Sequence, residues 1–211
     1  MCGNLGSILS PTAMSAESPP ALLQAIKTWI RNSGPTAIRH PYGFWVVLLH
    51  RNADEEWRFH LWPRKRAAIE GMPAPIHTHD KVVWSRILKG ELQNITYLLK
   101  QMSTGGLPMY EARHVGDKYA PENRNVLVKT IERYVAAERT RQTIHSGQNY
   151  TLPAHIFHEA VVPDSQATCT VVRMHSRVPG PVRILGTDGY PTQIEFTRDS
   201  RPADEVVTPE I

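Results

Sequence analysis

The chain has few of the features that mark secreted, membrane-spanning or nucleic-acid-binding proteins. Its 211 residues include only two cysteines, Cys2 and Cys169, which is too few for a disulfide framework and favours a reducing compartment. It has no hydrophobic run long enough to cross a bilayer, and its N-terminus lacks the basic and apolar regions of a secretory signal. These absences predict a cytoplasmic protein without a membrane partner.

The sequence also has only a small excess of positive charge. The formal net charge is +4 and the isoelectric point is about 9.2, and the basic residues are scattered apart from one short cluster, Arg64 to Arg66. Proteins that bind nucleic acid usually concentrate such residues on one face or helix. The sequence therefore predicts no nucleic-acid partner and a small-molecule substrate instead.

Pattern and composition divide the chain into three parts. Residues 1–18 are rich in small residues and proline, which predicts disorder. Residues 19–197 form a single domain that opens with an amphipathic helix over 21–30 and continues as short strands punctuated by glycine and proline. Residues 198–211 read as a flexible tail. The expected fold class is all-β, a barrel or sandwich with an N-terminal helix.

Histidines are the informative residues that remain. His77 and His79 lie two positions apart, so on an extended segment both side chains point to one side. His158 follows a turn far downstream, at Pro153 and Ala154, and precedes an apolar run. Three imidazoles could thus meet around one metal ion, although imidazole suits iron, zinc, copper and nickel alike.

The spacing around these histidines resembles the two motifs of the cupin superfamily. His77-Thr-His79 is followed at the proper distance by Gly90, and Gly147 leads through Pro153 to His158. The resemblance implies a double-stranded β-helix, or jelly-roll barrel, over about residues 40–185, with His77, His79 and His158 as metal ligands. The glutamate of the first motif is replaced by Val83, or by Trp84 if the register slips by one residue.

A set of three neutral histidines is similar to that of the cysteine dioxygenase-like thiol dioxygenases, which are cupins that bind iron. Their Ser-His-Tyr set falls here on Val171, Arg173 and His175, so it is not reproduced. His155 stands where the second motif has glycine, and it is interpreted as a residue in a left-handed turn, with a role as a fourth ligand left open.

Other candidate catalytic residues come from alternation along strands. Arg173 and His175 share one face of a predicted strand, and if that face lines the barrel interior they could grip a carboxylate and move a proton. His60 shares a face with Arg58 and Trp62, as a substrate contact or as a structural histidine. His40 and Tyr42, in the turn before the first strand, are interpreted as loop residues, with an approach to the mouth of the pocket left open.

Three classes of function remain open at this stage. The first is a mononuclear non-heme metal enzyme, with Fe(II) as the expected ion, that acts as an oxygenase on a small polar molecule such as an amino acid or a thiol. The second is a non-redox isomerase, lyase or condensing enzyme that uses zinc, nickel or manganese. The third is a non-catalytic ligand-binding module. The resemblance also implies a homodimer joined through sheet edges.

Overall fold

The computed structural model describes residues 9–66, 72, 75–114 and 124–211. The helices are α1 (Pro11–Ala16), α2 (Pro19–Ser33) and α3 (Ala203–Val207). The strands are β1 (Thr36–Arg39), β2 (Trp45–Arg51), β3 (Glu55–Trp62), β4 (Val82–Lys89), β5 (Glu91–Met102), β6 (Leu107–His114), β7 (Asn125–His145), β8 (Asn149–Leu152), β9 (Phe157–Val161), β10 (Thr168–His175), β11 (Val182–Leu185), β12 (Gln193–Phe196) and β13 (Ser200–Pro202).

The strands form two antiparallel sheets. One has the order β13-β1-β2-β3-β10-β4-β8, and the other has the order β11-β6-β7-β5-β9, with β12 added beside β7. From β4 to β5, and again from β8 through β9 and β10 to β11, the chain passes alternately between the sheets. This is the connectivity of a jelly roll, and the predicted all-β fold class is confirmed.

The central strands of the first sheet, β3, β4 and β10, are buried on both faces. Helix α2 packs across β4 and buries Leu22, Ile26 and Ile30 at helical spacing. Ser18 caps its start, and Gly34, at φ 57°, ends it by donating its N–H to the Ile30 carbonyl. The predicted helix over 21–30 is therefore confirmed and is longer at both ends. Among the described residues, no helix combines the length and apolar character needed to span a bilayer.

Both ends of the chain differ from the predicted disorder and flexibility. Residues 11–16 form α1, whose Met14 is fully buried, while residues 1–8 lie outside the described residues. In the predicted tail, β13 pairs with β1, and α3 buries Ala203 and Val207. Met14 and these two residues join the core under α2. A few apolar side chains at the right spacing thus order segments whose average composition is polar.

Two local predictions also change. The segment from Ile76 to His79, expected to be a strand, makes only isolated bridges from His77 to His158 and to Ile184. The sequence of residues 123–137 does not distinguish a helix from a strand; residues 125–137 belong to β7, a strand of 21 residues, and residue 123 lies outside the described residues. Most positions of this part of β7 are half-buried, so neither face has a clear apolar pattern.

A tight turn at Gly90 carries the chain from the first sheet to the second. Gly90 has φ +77°, and a Cβ there would meet Thr168 Oγ1 at 2.4 Å and the Ala167 carbonyl oxygen at 3.0 Å. Thr168 cannot give way easily, because it is fully buried and donates its hydroxyl to the Glu91 carbonyl. We expect Gly90→Ala to lower the free energy of unfolding by about 3 kcal/mol, measured by urea denaturation.

Gly105 provides a matched control for this substitution. Its φ is +69°, close to that of Gly90, but a Cβ there would meet nothing within 4 Å. Gly105→Ala should therefore cost only the backbone strain, about 1 kcal/mol. Equal losses in the two variants would show that contact with Thr168 is unimportant.

Candidate metal centre

Main-chain hydrogen bonds hold the two histidine segments together. The His77 N–H donates to the His158 carbonyl and the His158 N–H donates to the His77 carbonyl, both at 2.9 Å. Two residues further along, the His155 N–H donates to the His79 carbonyl at 2.8 Å. Main-chain hydrogen bonds therefore hold the two remote segments together, in addition to any contacts between their side chains.

The structure brings together the three histidines that the sequence singles out. Thr78, between the first two, is buried and its hydroxyl accepts the Arg183 N–H, so His77 and His79 share the opposite side. Ligand atoms of His77, His79 and His158 all lie within 4.8 Å of one another. Their rings are 4.8 to 5.1 Å apart, centre to centre.

Hydrogen bonds set the orientation of two of these rings. His77 Nδ1–H donates to the Pro75 carbonyl at 2.7 Å. His158 Nδ1–H donates to Asn94 Oδ1 at 2.9 Å. In the neutral form each ring therefore carries its free lone pair on Nε2, and such anchoring is characteristic of metal-binding histidines.

The donor set fits a divalent metal ion. Nε2 of His79 and Nε2 of His158 are 3.0 Å apart, which agrees with the separation of about 3.0 to 3.4 Å between two nitrogens that bind one ion at octahedral or tetrahedral angles. The largest separation in the set, up to 4.8 Å, needs a closing movement of about 1.5 Å, which rotations about the histidine side-chain torsions would supply. His77, His79 and His158 would hold the ion.

Burial favours the neutral, metal-binding form of these rings. It lowers the pKa of His77, against the opposing effect of the Pro75 carbonyl. It also lowers the pKa of His158 well below its usual value, and the neighbouring His77 adds to that effect. A metal ion competes with protons for imidazole nitrogen, so this lowering keeps the lone pairs accessible.

Asn94 is a testable support of this arrangement, because it is buried and accepts the Nδ1–H of His158. We expect Asn94→Leu, which keeps the volume and removes the acceptor, to weaken zinc binding about 10- to 100-fold in a chelator competition assay. Gln93→Leu, one position earlier and bonded to Arg141 instead, should bind zinc like the wild type. Unchanged affinity in the Asn94 variant would mean that the ring is held by other contacts.

The three histidines open into a cavity between the sheets with about 670 Å³ of empty space, including its mouth. Its walls are mostly apolar or aromatic, which is usual for a small-molecule site. The aromatic and apolar lining consists of Tyr42, Phe44, Trp62, Pro75, Val83, Leu92, Tyr150, Ala160, Val172 and Met174. The polar lining, besides the three histidines, consists of His40, Arg58, His60, Ser85 and Thr170.

His60 lies where the sequence places it, beside Arg58 and Trp62 on the cavity face of β3. Burial, with a smaller effect from the charge of Arg58, lowers the pKa of His60 to about 3. Its Nε2 is buried and has no hydrogen-bond partner in the part of the chain that the structure describes. A neutral imidazole with an unused nitrogen at a cavity wall can contact a ligand.

Arg173 and His175 do not line this cavity, so their predicted position in the barrel interior is wrong. Residues 170, 172 and 174 of β10 face inward, which turns Arg173 and His175 outward to a surface depression beside Glu55. Arg173 forms an ion pair with Glu55. Neither residue can grip a ligand held by the three histidines.

The structure shows which residues stand at the two positions where the sequence departs from the cupin motifs. Val83 faces the cavity while Trp84 packs on Trp57 outside it, so Val83 occupies the position where the motif has glutamate. His155 has φ 60° and donates from Nε2 to the Val178 carbonyl at 3.2 Å. It occupies a left-handed turn, as predicted, and is not part of the histidine cluster.

Two cavity residues were assigned to a loop by the sequence analysis. The Tyr42 ring lies 5.2 Å from the His77 ring, and the His40 ring lies 6.5 Å from it. Burial lowers the pKa of His40 and raises that of Tyr42. The proximity of both to the turn before β2 was visible in the sequence, but nothing local indicated that this turn folds against His77.

Comparisons with known proteins give resemblances to solved structures alone. No family model matches the chain, and no curated protein matches it. Solved structures that resemble it include a cupin-2 domain protein of Rhodospirillum rubrum (12% identity, 72% of this chain and 71% of that one, TM-score 0.37). A cupin-2 conserved barrel domain protein of Rhodopseudomonas palustris is also similar, with 13% identity over 74% of this chain and 79% of that one, at a TM-score of 0.36. A structure of DMSP lyases resembles the chain with 10% identity over 71% of this chain and 62% of that one, at a TM-score of 0.37. At these TM-scores the similarity carries no functional argument.

Proposed function

We propose that the chain is a mononuclear metal enzyme of the oxygenase type, in which His77, His79 and His158 hold Fe(II) and the cavity binds a small organic substrate. The observation that carries the proposal is the convergence of three imidazoles from remote segments on a cavity between the sheets, with no carboxylate among the described residues that line it. Bound there, iron would leave positions open at which a substrate and dioxygen can be brought together.

Residues of the chain would orient the metal ligands and exclude water from the site. Asn94 and the Pro75 carbonyl orient two ligand rings, and the apolar wall around Phe44, Leu92 and Val172 keeps bulk water from the reacting atoms. His60 contacts the substrate with an unused ring nitrogen.

A second candidate is a non-redox lyase or isomerase that uses zinc, nickel or manganese. One observation favours it: His60 is neutral and its Nε2 has no hydrogen-bond partner among the described residues, so the ring can orient a metal-polarised substrate through a hydrogen bond. Tyr150, whose hydroxyl bonds to Ser85 and whose pKa burial raises to about 12, can donate a hydrogen bond in the same cavity.

Metal analysis and oxygen uptake separate the two candidates. Protein purified without added metal should contain mainly iron, and its Fe(II) form should consume oxygen with members of a panel of thiols, amino acids and other organic acids. The His79→Ala variant is the negative control. Turnover that persists under strict anaerobiosis with zinc or manganese would support the second candidate and contradict the first.

A further inference from the structure

Two buried polar atoms in the cavity have no hydrogen-bond partner among the described residues. They are His60 Nε2 and Trp62 Nε1, both on the cavity face of β3. An indole N–H can only donate a hydrogen bond, and a buried donor without an acceptor lowers stability. Trp62 therefore points to a ligand that brings an acceptor atom.

The charge around the cavity is positive. No aspartate or glutamate is among the described residues that line it. Arg58 lies in the wall beside Glu56, and this one carboxylate also contacts Lys81 at 3.1 Å and Arg51 at 3.6 Å. Among the contacts that the structure describes, three basic side chains surround one carboxylate, and a divalent ion on three neutral imidazoles would add positive charge. Such a field attracts anions and repels cations.

The wall next to Trp62 suits an apolar group. Phe44 stacks on Trp62 with ring centres 3.9 Å apart and on His40 with ring centres 4.1 Å apart. His40 in turn lies beside His77. A continuous aromatic surface thus runs from the metal ligands to the unpartnered indole, and a ligand in contact with both must have an apolar body between its polar ends.

From these three features we infer that the cavity selects an organic anion with an apolar body, one oxygen of which accepts the Trp62 Nε1–H hydrogen bond. The inference rests on the proposed function in that this anion is the substrate. It differs from the expected small polar amino acid or thiol in requiring an apolar body. A cation, although compatible with aromatic rings, finds neither a carboxylate nor an acceptor at the indole.

The test uses three probes of the same size and different charge: benzoate, benzyl alcohol and benzylammonium. Their binding to the full-length protein, with and without zinc, is measured by calorimetry. We expect benzoate to bind at least tenfold more tightly than the other two. Trp62→Phe, which keeps an aromatic ring and removes the N–H, should weaken benzoate about tenfold. Trp29→Phe, on α2 and outside the cavity lining, should leave it unchanged.

The charge comparison uses only wild-type protein and so does not depend on how the variant folds. Equal or tighter binding of benzylammonium, no binding of any probe, or full benzoate affinity in folded Trp62→Phe protein would overturn the inference. Metal content measured on the same samples separates it from the proposed function. Absence of metal binding with Trp62-dependent benzoate binding contradicts the proposed function alone, whereas normal metal binding with Trp62-independent benzoate binding contradicts the inference alone.

Discussion

Replacing His158 by alanine should abolish stoichiometric metal binding under conditions in which the wild type is loaded. His158 brings a buried ring within 3.0 Å of the His79 nitrogen, and it is the ligand from the downstream segment. If a binding free energy of roughly 10 kcal/mol is divided among three ligands, each supplies about 3 kcal/mol, or roughly a hundredfold in affinity. His77→Ala and His79→Ala should behave alike. Metal content after gel filtration measures the effect.

The control for these variants is His50→Ala, because His50 is exposed on β2 and outside the histidine cluster. It should keep the wild-type metal content. The main-chain bonds between residues 77 and 158 do not need the imidazole, so the His158 variant should keep its far-ultraviolet circular dichroism spectrum. Full metal occupancy in that folded variant would show that the third ligand is another residue.

The sequence predicted those elements in which one face is apolar and the other is polar. Helix α2 was identified from its apolar residues at helical spacing. The chain ends were not predictable from composition. Only a few of their residues, such as Met14 and Val207, reach the core, and average composition does not register single buried side chains.

The metal ligands were predictable because their spacing is a local property of two short segments. The cavity face of β10 was not, since this strand is buried on both sides. Cys169 and Val171 face the core under α2 while Thr170 and Val172 face inward. Alternation then identifies two faces without saying which one is the interior. Arg173 and His175 share the helix-side face but lie beyond the cover that α2 provides, at the surface depression.

In strand β3 the apolar face packs under helix α2 and the polar face points into the barrel. Its apolar residues Trp57, Phe59 and Leu61 belong to the core under α2, whereas the polar set with His60 faces the cavity. A polar face directed into the barrel is the opposite of what a core-forming strand needs. Once the face covered by the helix is known, polar residues on the opposite face of a strand indicate a binding cavity.

Restoring the missing carboxylate by Val83→Glu should make the stability of the protein strongly metal-dependent. Val83 is buried and lines the same cavity as the three histidines. Without metal, a carboxylate there is buried in an apolar wall, which should lower stability by about 3 kcal/mol. For a chain of this length that corresponds to a fall of roughly 6 to 12 °C in Tm. With zinc or manganese the carboxylate can serve as a fourth ligand, and an ion at about 100 times its Kd restores about 2.7 kcal/mol.

Val172→Glu separates ligation from burial. Val172 is also buried and lines the same cavity, but it lies on β10, opposite Ser85 of β4, outside the motif that carries the ligands. Its metal-free Tm should fall by a similar amount, and metal should raise it no more than it raises that of the wild type. The quantity that decides is therefore the metal-induced rise in Tm, measured by differential scanning calorimetry with and without a chelator. A rise that is the same in both variants would mean that position 83 is no better placed than position 172 to supply a ligand to the bound ion.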